Sequence, residues 1–275
     1  MADFSSFIEL AKQRLPEGQV HTDELLVKAF SVDGSPFEPV ARVVVDIHNQ
    51  EQLAALLSMA AKTGVSLTYR GAGTGVSGQT IARDVTVRLL GPYWKQIEIL
   101  DDGRRVKAGC GVIGAEVNAA LKPYGRYMTA DPSSIGAATM GGMAATKAAG
   151  LGCTVDRNLY SMMTGLHFTL ADGTSVDTDD KACVERFRKS HEGMLGSLAD
   201  LRARIMADDA MRETIIRKFT IRNTNGYSLN AFTDFEDPVD ILSHLIIGSE
   251  GTLAFINSIT IRTEALRPFR STALV

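Results

Sequence analysis

The chain has 275 residues, 45% of them hydrophobic and 22% charged, with 29 Lys and Arg against 32 Asp and Glu for a formal net charge of −3. That balance leaves no basic footprint for nucleic acid or an anionic membrane, and apolar runs such as residues 54–61 are far too short to span a bilayer. The expected partner is a small molecule, and the start Met-Ala-Asp-Phe lacks the basic region and apolar core of a secretory signal, so a cytoplasmic protein is expected.

The first predicted element is a helix over residues 4–15, capped by Asp3 or Ser5 and ended by Pro16-Glu-Gly18. A strand over 40–47 follows. Asn49 then caps a helix that Gly64 terminates, and this helix leads into a strand over 65–69, giving a β-α-β unit. The strand feeds directly into Arg70-Gly-Ala-Gly-Thr-Gly-Val-Ser-Gly78. Four glycines let this backbone approach a ligand and adopt positive φ, and its exposed amides form a concave anion site to which Thr74, Ser77 and Arg70 add side-chain donors. No Gly-Lys-Ser/Thr closes the loop, which excludes a Walker A cradle. Gly73, Gly75 and Gly78 do read G-x-G-x-x-G, but an alternating strand over 85–90 follows instead of the helix a Rossmann turn requires. The segment is therefore read as a phosphate cradle joining strand to strand, with a plain surface loop as the alternative.

Strands over 94–100 and 104–109, joined by the hairpin signal Asp101-Asp-Gly103, precede a helix over 112–121. Residues 128–158 are dominated by Gly, Ala, Ser and Thr. Small side chains allow close approach of a large flat ligand, and the stretch is read as ligand-lining in preference to a linker. A strand over 165–170 turns at Asp172-Gly173, and helices over 181–208 and 211–218 carry much of the charge as a solvated outer layer. After Asn223-Thr-Asn-Gly-Tyr-Ser-Leu-Asn230 come a helix over 238–245 and a glycine turn running into an alternating strand that ends at 261. Cys110, Cys153 and Cys183 are widely spaced without a C-x-x-C pair, so no metal site is expected and the thiols are read as reduced. The five histidines, His21, His48, His167, His191 and His244, show no ligand spacing and are read as surface or capping residues.

Three ordered features, the RGAGTGVSG unit at 70–78, the DPSS…TMGGMAATKAAG segment at 131–150, and NTNGYSLN followed by GSEGTL at 248–253, resemble the FAD-binding domain of vanillyl-alcohol-oxidase-type (PCMH-type) oxidoreductases. Within that group the chain is similar to D-lactate and other D-2-hydroxyacid dehydrogenases. The resemblance implies an α+β, two-lobed FAD-binding domain of mixed sheets flanked by helices, over 36–265, with lobe one about 36–110 and lobe two about 111–265. Residues 1–35 are then an N-terminal helical segment and 266–275 the start of a truncated cap domain.

It further implies non-covalent FAD, with Arg70, Gly71, Ala72, Gly73, Thr74, Gly75, Ser77 and Gly78 on the diphosphate. Pro132, Ser133, Thr139, Gly141, Gly142, Ala145, Ala148 and Gly150 match the flavin-side loop, and Glu250, Phe255 and Ile256 the terminal turn and strand beside the cofactor. Gly248, Gly251 and Thr252 are taken as architectural. The implied activity is oxidation of a D-2-hydroxy acid such as D-lactate to the 2-oxo acid by hydride transfer to flavin N5. Glycolate or D-2-hydroxyglutarate dehydrogenation and a non-catalytic flavin module are the alternatives. An electron acceptor, a cap carrying the unassigned catalytic residues, a cysteine-rich iron–sulfur region and, as an alternative location, the membrane periphery belong to the longer relatives. Lys147 and Thr154 depart from the family pattern; Lys147 is expected to face solvent, with stabilisation of an anionic reduced flavin as the alternative.

Overall fold

A computed structural model describes residues 3–37, 40–267 and 269. The amino-terminal part holds α1 (Phe4–Arg14), β1 (Val20–His21), α2 (Glu24–Ala29), β2 (Val43–Ile47), α3 (Gln50–Thr63), β3 (Leu67–Arg70) and β4 (Val85–Leu89). Asn49 caps α3 by accepting from the Gln52 amide, and Gly64 ends it in the left-handed conformation at φ +66°. The strands form a sheet in the order β1-β2-β4-β3, with β2 and β3 each parallel to β4. The expected β-α-β unit is thus present, but β4 sits between its two strands.

Every residue of β2 is buried because both faces are covered. Val43, Val45 and Ile47 pack with Phe7 of α1 and Leu53 and Leu56 of α3, while Val44 meets Val27 of α2. Asp46 is the one carboxylate in this strand, and three bonds satisfy it: Arg88 Nε and Nη2 donate at 2.6 Å each, and His21 Nε2 lies 2.8 Å away. Arg88 in turn lies over the Phe30 ring at 4.3 Å.

The second sheet has the order β5-β6-β10-β8-β9 and is antiparallel throughout. Its strands are β5 (Ile97–Leu100), β6 (Arg105–Gly109), β8 (Met163–Thr169), β9 (Ser175–Asp177) and β10 (Phe255–Arg262), while β7 (Arg126–Tyr127) pairs with β11 (Glu264–Ala265) apart from it. β5 and β6, assigned to lobe one from sequence, therefore belong to the second sheet, and Asp101 to Gly103 make the expected turn between them with three consecutive positive φ angles. Around this sheet lie α4 (Gly114–Leu121), α5 (Met140–Ala145), α6 (Leu159–Met162), α7 (Lys181–Ser190), α8 (Glu192–Ala207), α9 (Asp209–Phe219), α10 (Ala231–Asp234) and α11 (Pro238–Ile246). The single helix expected over 181–208 is broken at His191, whose ring is held by Asp172 at 2.9 Å and Ser190 at 2.8 Å. His244 is buried, not superficial: its ring stacks on Phe235 at 3.9 Å and its Nδ1 meets the Asp240 carbonyl at 2.8 Å. Of the segment 266–275 expected to begin a cap, residues 268 and 270–275 lie outside the described residues.

A buried carboxylate that loses its main partner is strongly destabilising. Arg88→Met is expected to cost about 3 kcal/mol, read as a lowered midpoint in urea denaturation, whereas an unchanged midpoint would show that His21 alone satisfies Asp46. Burial holds the His244 imidazole below the usual histidine range. The unfolded chain then takes up a proton that the folded one refuses, so this stability is present above about pH 6.5 and is lost as pH falls further. His244→Gln should flatten the fall in urea midpoint from about pH 7 to 5.5; equal slopes in the two proteins would refute this.

Candidate functional site

Between the two sheets lies a cleft of about 350 Å³. From the first sheet it is lined by Leu67, Thr68, Tyr69 and Leu89, and from the other side by α5, residues 250–252, Phe255 and Ile256. The Tyr69 ring packs against Phe255 at 4.6 Å between centroids, and Phe255 meets Trp94 edge-on at 5.5 Å. Two buried polar atoms on this cleft, the Tyr69 hydroxyl and Gln79 Oε1, have no hydrogen-bond partner among the described residues. Leaving such a group unsatisfied costs about 1–3 kcal/mol, which a polar ligand in the cleft would recover. Burial also pushes the Tyr69 phenol up, so it stays a hydroxyl donor.

Beside the cleft runs the 71–78 loop, joining β3 to the segment before β4. Among the described residues, none of its backbone amides donates a hydrogen bond within the protein. A row of unpaired N–H groups on a turning backbone is an anion-binding surface. Gly73 (φ +69°) and Gly78 (φ +79°) make the turns. A Cβ on Gly73 would collide with the Arg70 guanidinium, which is tucked beneath the loop with its Nη1 3.5 Å from the Phe30 carbonyl. Asp33 braces the same region by accepting from the Ser35 amide at 2.8 Å and from Thr80 Oγ1 at 2.9 Å.

The facing wall is α5, which Thr139 caps by accepting from the Gly142 amide. Small residues are needed here: a Cβ on Gly71 would lie 2.5 Å from Thr139 Oγ1, so the loop and the cap are already in contact. Carbonyls at the end of α5 hold the 248–252 turn, with Ala144 accepting from the Gly248 amide at 3.0 Å and Ala145 from the Glu250 amide at 2.9 Å. Cys110 also lines the cleft, and burial pushes its thiol up to about 12, so it is a protonated packing group at neutral pH.

A family model described as an FAD binding domain matches residues 41–179, just over half of the chain. The chain belongs to this FAD-binding family. D-2-hydroxyglutarate dehydrogenase of Pantoea ananatis is 30% identical over 262 residues, which cover 92% of this chain and 25% of that protein. D-lactate dehydrogenase of Archaeoglobus fulgidus is 27% identical over 80% of this chain and 38% of its own length, and glycolate oxidase subunit GlcD of Escherichia coli 27% identical over 94% and 52%. The chain thus spans between a quarter and about half of these relatives. Among solved structures, an alkyldihydroxyacetonephosphate synthase superposes with a TM-score of 0.63 at 16% identity, over 97% of this chain and 41% of that one, and a chitooligosaccharide oxidase with 0.60 at 14% identity, over 94% and 43%. They share the fold.

The residues present fit FAD: an amide row for the diphosphate, apolar and aromatic walls, and orphaned polar atoms between them. Of the positions read from sequence, Arg70, Gly71, Thr139, Gly141, Gly142, Ala145, Glu250, Phe255 and Ile256 all line the cleft. Ala72, Gly73, Thr74, Gly75, Ser77 and Gly78 form the loop at its side, outside the lining. Pro132 and Ser133 lie instead in the turn beneath α4, where Pro132 accepts from the Ile135 amide and Ile135 from the Ala115 amide. Ala148 packs on the second core, and the Gly150 carbonyl accepts from Arg222 at 2.8 Å. Gly251 and Thr252, taken as architectural, do line the cleft; Tyr69, Gln79 and Thr80 were missed, although each sits within two residues of the glycine loop.

Lys147 corrects the sequence reading. It is 5% exposed, not solvent-facing, and takes the left-handed backbone at φ +48°, a conformation costing an L-residue about 1–2 kcal/mol. The reason is the fold of α5: the chain reverses after Thr146, so the side chain turns inward under Gly248. Thr154, the other departure, is on the surface and bonds Asp156 Oδ1 at 2.5 Å. Among the described residues no helix is long and apolar enough to cross a membrane.

Gly73→Val forbids the φ of the loop and drives Arg70 out of its seat. FAD affinity is expected to fall at least about a hundredfold, measured by flavin fluorescence on titration into apoprotein, with the urea midpoint followed alongside to separate loss of the cradle from loss of fold.

Proposed function

We propose that these residues are the cofactor-holding part of a flavoenzyme that oxidises a 2-hydroxy acid to the 2-oxo acid, most nearly D-2-hydroxyglutarate or D-lactate. The observation that carries the reading is the unpaired amide row of 71–78 beside a cleft built from both sheets. The substrate class is supported by the relatives, a D-2-hydroxyglutarate dehydrogenase, a D-lactate dehydrogenase and a glycolate oxidase subunit, whose names all refer to 2-hydroxy acids. Bound FAD supplies a two-electron acceptor for the hydride leaving the α-carbon, while the hydroxyl proton goes to a base. In this reading the chain's own share is to bind and orient. The 71–78 amides neutralise the diphosphate, Gly141, Gly142 and Ala145 allow its close approach, Tyr69 and Gln79 offer the polar contacts, and Phe255 and Ile256 close the apolar end.

Among the described residues the cleft lining carries the Glu250 carboxylate but pairs it with no free cationic clamp. Arg70, its one basic lining residue among those described, is engaged with Phe30 and Asp33, and the thiol of Cys110 is held protonated. In this reading the base and the carboxylate clamp come from outside this cleft, as does the electron acceptor's site.

Purified alone, the chain should hold FAD that acid precipitation releases completely, since the cleft offers no histidine for a covalent bond. Under anaerobic conditions D-lactate and D-2-hydroxyglutarate should leave its flavin absorbance unchanged for minutes, whereas in the native protein or complex carrying these residues one 2-hydroxy acid should bleach it. Bleaching of the isolated chain by D-lactate but not L-lactate within seconds would place the substrate site in this domain; no bleaching of the native protein by any 2-hydroxy acid would sink the reading.

A further inference from the structure

A second cavity, of about 390 Å³, lies on the other side of Lys147 from the cofactor cleft, enclosed by α6, α9, α10 and the segment leading from Phe219 to Asn230. Two of its groups lack partners. Lys147 Nζ is buried with no hydrogen-bond acceptor among the described residues; the Phe219 ring lies 5.6 Å away, and the Glu250 carboxylate favours its charge at longer range without bonding to it. Asn230 Oδ1 is likewise buried and unbonded. The orientation of that amide follows from its surroundings: Asn230 Nδ2 donates to Asp234 Oδ2 at 2.8 Å, and a carboxylate accepts only from the NH2 end, so the carbonyl oxygen is the free end.

Asp234 itself does not neutralise Lys147. Its carboxylate is engaged by Asn230 and by the Tyr160 hydroxyl, each at 2.8 Å, and Lys147 Nζ makes no hydrogen bond to it or to any other described residue. Arg222 lines the same cavity and adds a second positive charge. A buried ammonium without a hydrogen-bonded acceptor is unfavourable, and burial draws the Lys147 amine below the usual lysine range although the Glu250 carboxylate acts the other way. Lysine is also a poor choice for a left-handed backbone position that glycine or asparagine occupies readily. Both features favour a ligand as the missing partner. It must bring an anionic acceptor for Nζ and a donor for Asn230 Oδ1, within a space that holds only a small molecule.

We propose that this cavity is a binding site for a small hydroxy-carboxylate, whose carboxylate pairs with Lys147 and whose hydroxyl donates to Asn230 Oδ1. The site is separate from the cofactor cleft: the two cavities share no lining residue, Ala145 and Thr146 lining the cleft and Lys147 the second cavity. It does not depend on the proposed reaction, because the cavity and its two unpartnered atoms stand whether or not the cleft holds FAD.

The test is calorimetric titration of the purified chain, with and without added FAD, using D-lactate, L-lactate and propionate as probes. At least one lactate enantiomer should bind, propionate should bind about tenfold more weakly, and both should lose about tenfold or more in Lys147→Met, which keeps the side-chain length and removes the charge. Removing an unpaired buried charge should leave the urea midpoint equal or higher, so loss of binding would not be loss of fold. A second variant, Arg222→Gln, should weaken binding less than Lys147→Met. Absence of lactate binding to the wild type at millimolar concentration, equal affinity for propionate, or unchanged binding in Lys147→Met would each overturn the proposal. FAD binding that persists alongside any of these results would leave the reading of the cleft intact.

Discussion

Strand β10 is the element on which both halves of the molecule depend. It is the middle strand of the second sheet, where Ile259 and Ile261 are core residues, yet its first residue, Phe255, lies in the first core beside Trp94 and Cys110. A polar bridge two residues on fixes the same junction. Asn257 donates to Gln50 Oε1 at 2.5 Å and accepts from Thr169 Oγ1 at 2.8 Å, while Gln50 Nε2 donates to Thr169 Oγ1 at 3.0 Å. Gln50 opens α3 under the first sheet, and Thr169 ends β8 in the second. Interlocked side-chain amides resist sliding, because any displacement breaks several of these bonds at once. The cleft exists because this junction holds the ends of β3 and β10 at a fixed separation.

Unfavourable local choices gather along that cleft and its neighbouring cavity. Unpaired amides at 71–78, the orphaned Tyr69 hydroxyl and Gln79 oxygen, and left-handed Lys147 and Glu250 all lie there. Concentration of strain and unsatisfied polarity on one face is what a ligand-binding surface requires in its empty form, since the ligand supplies the missing bonds. The aromatic trio Tyr69, Phe255 and Trp94 gives that face its rigidity, with Trp94 anchored by a 3.0 Å bond from its Nε1 to the Ile47 carbonyl.

Local patterning made much of this legible. Asn49 and Gly64 bracket α3 because a cap and a left-handed stop act within one turn of the helix, and the Asp101-Asp-Gly103 turn forms because those residues tolerate positive φ. The glycine loop at 70–78 announced a close backbone approach for the same reason. Pairing partners were not legible: β4 inserts between β2 and β3, and β5 with β6 joins the second sheet, because which strands pair is settled by long-range packing that no local window contains.

The sequence by itself determined the cradle, the small-residue wall at Thr139 to Ala145 and the terminal turn at 248–252, since each is a statement about backbone freedom and side-chain size at given positions. Only the tertiary structure decided which of these meet. Pro132, Ser133, Ala148 and Gly150 share the composition of the wall but fall elsewhere, while Tyr69, Gln79 and Thr80 enter the cleft from its edges. Lys147 is the sharpest case. A charged residue beside a glycine-rich helix reads as exposed, and it is the reversal of the chain after α5, fixed by the 248–252 turn docking on the Ala144 and Ala145 carbonyls, that turns its amine inward. Side-chain direction at a chain reversal is set by what packs on the reversal, and that neighbour lies a hundred residues away in the sequence.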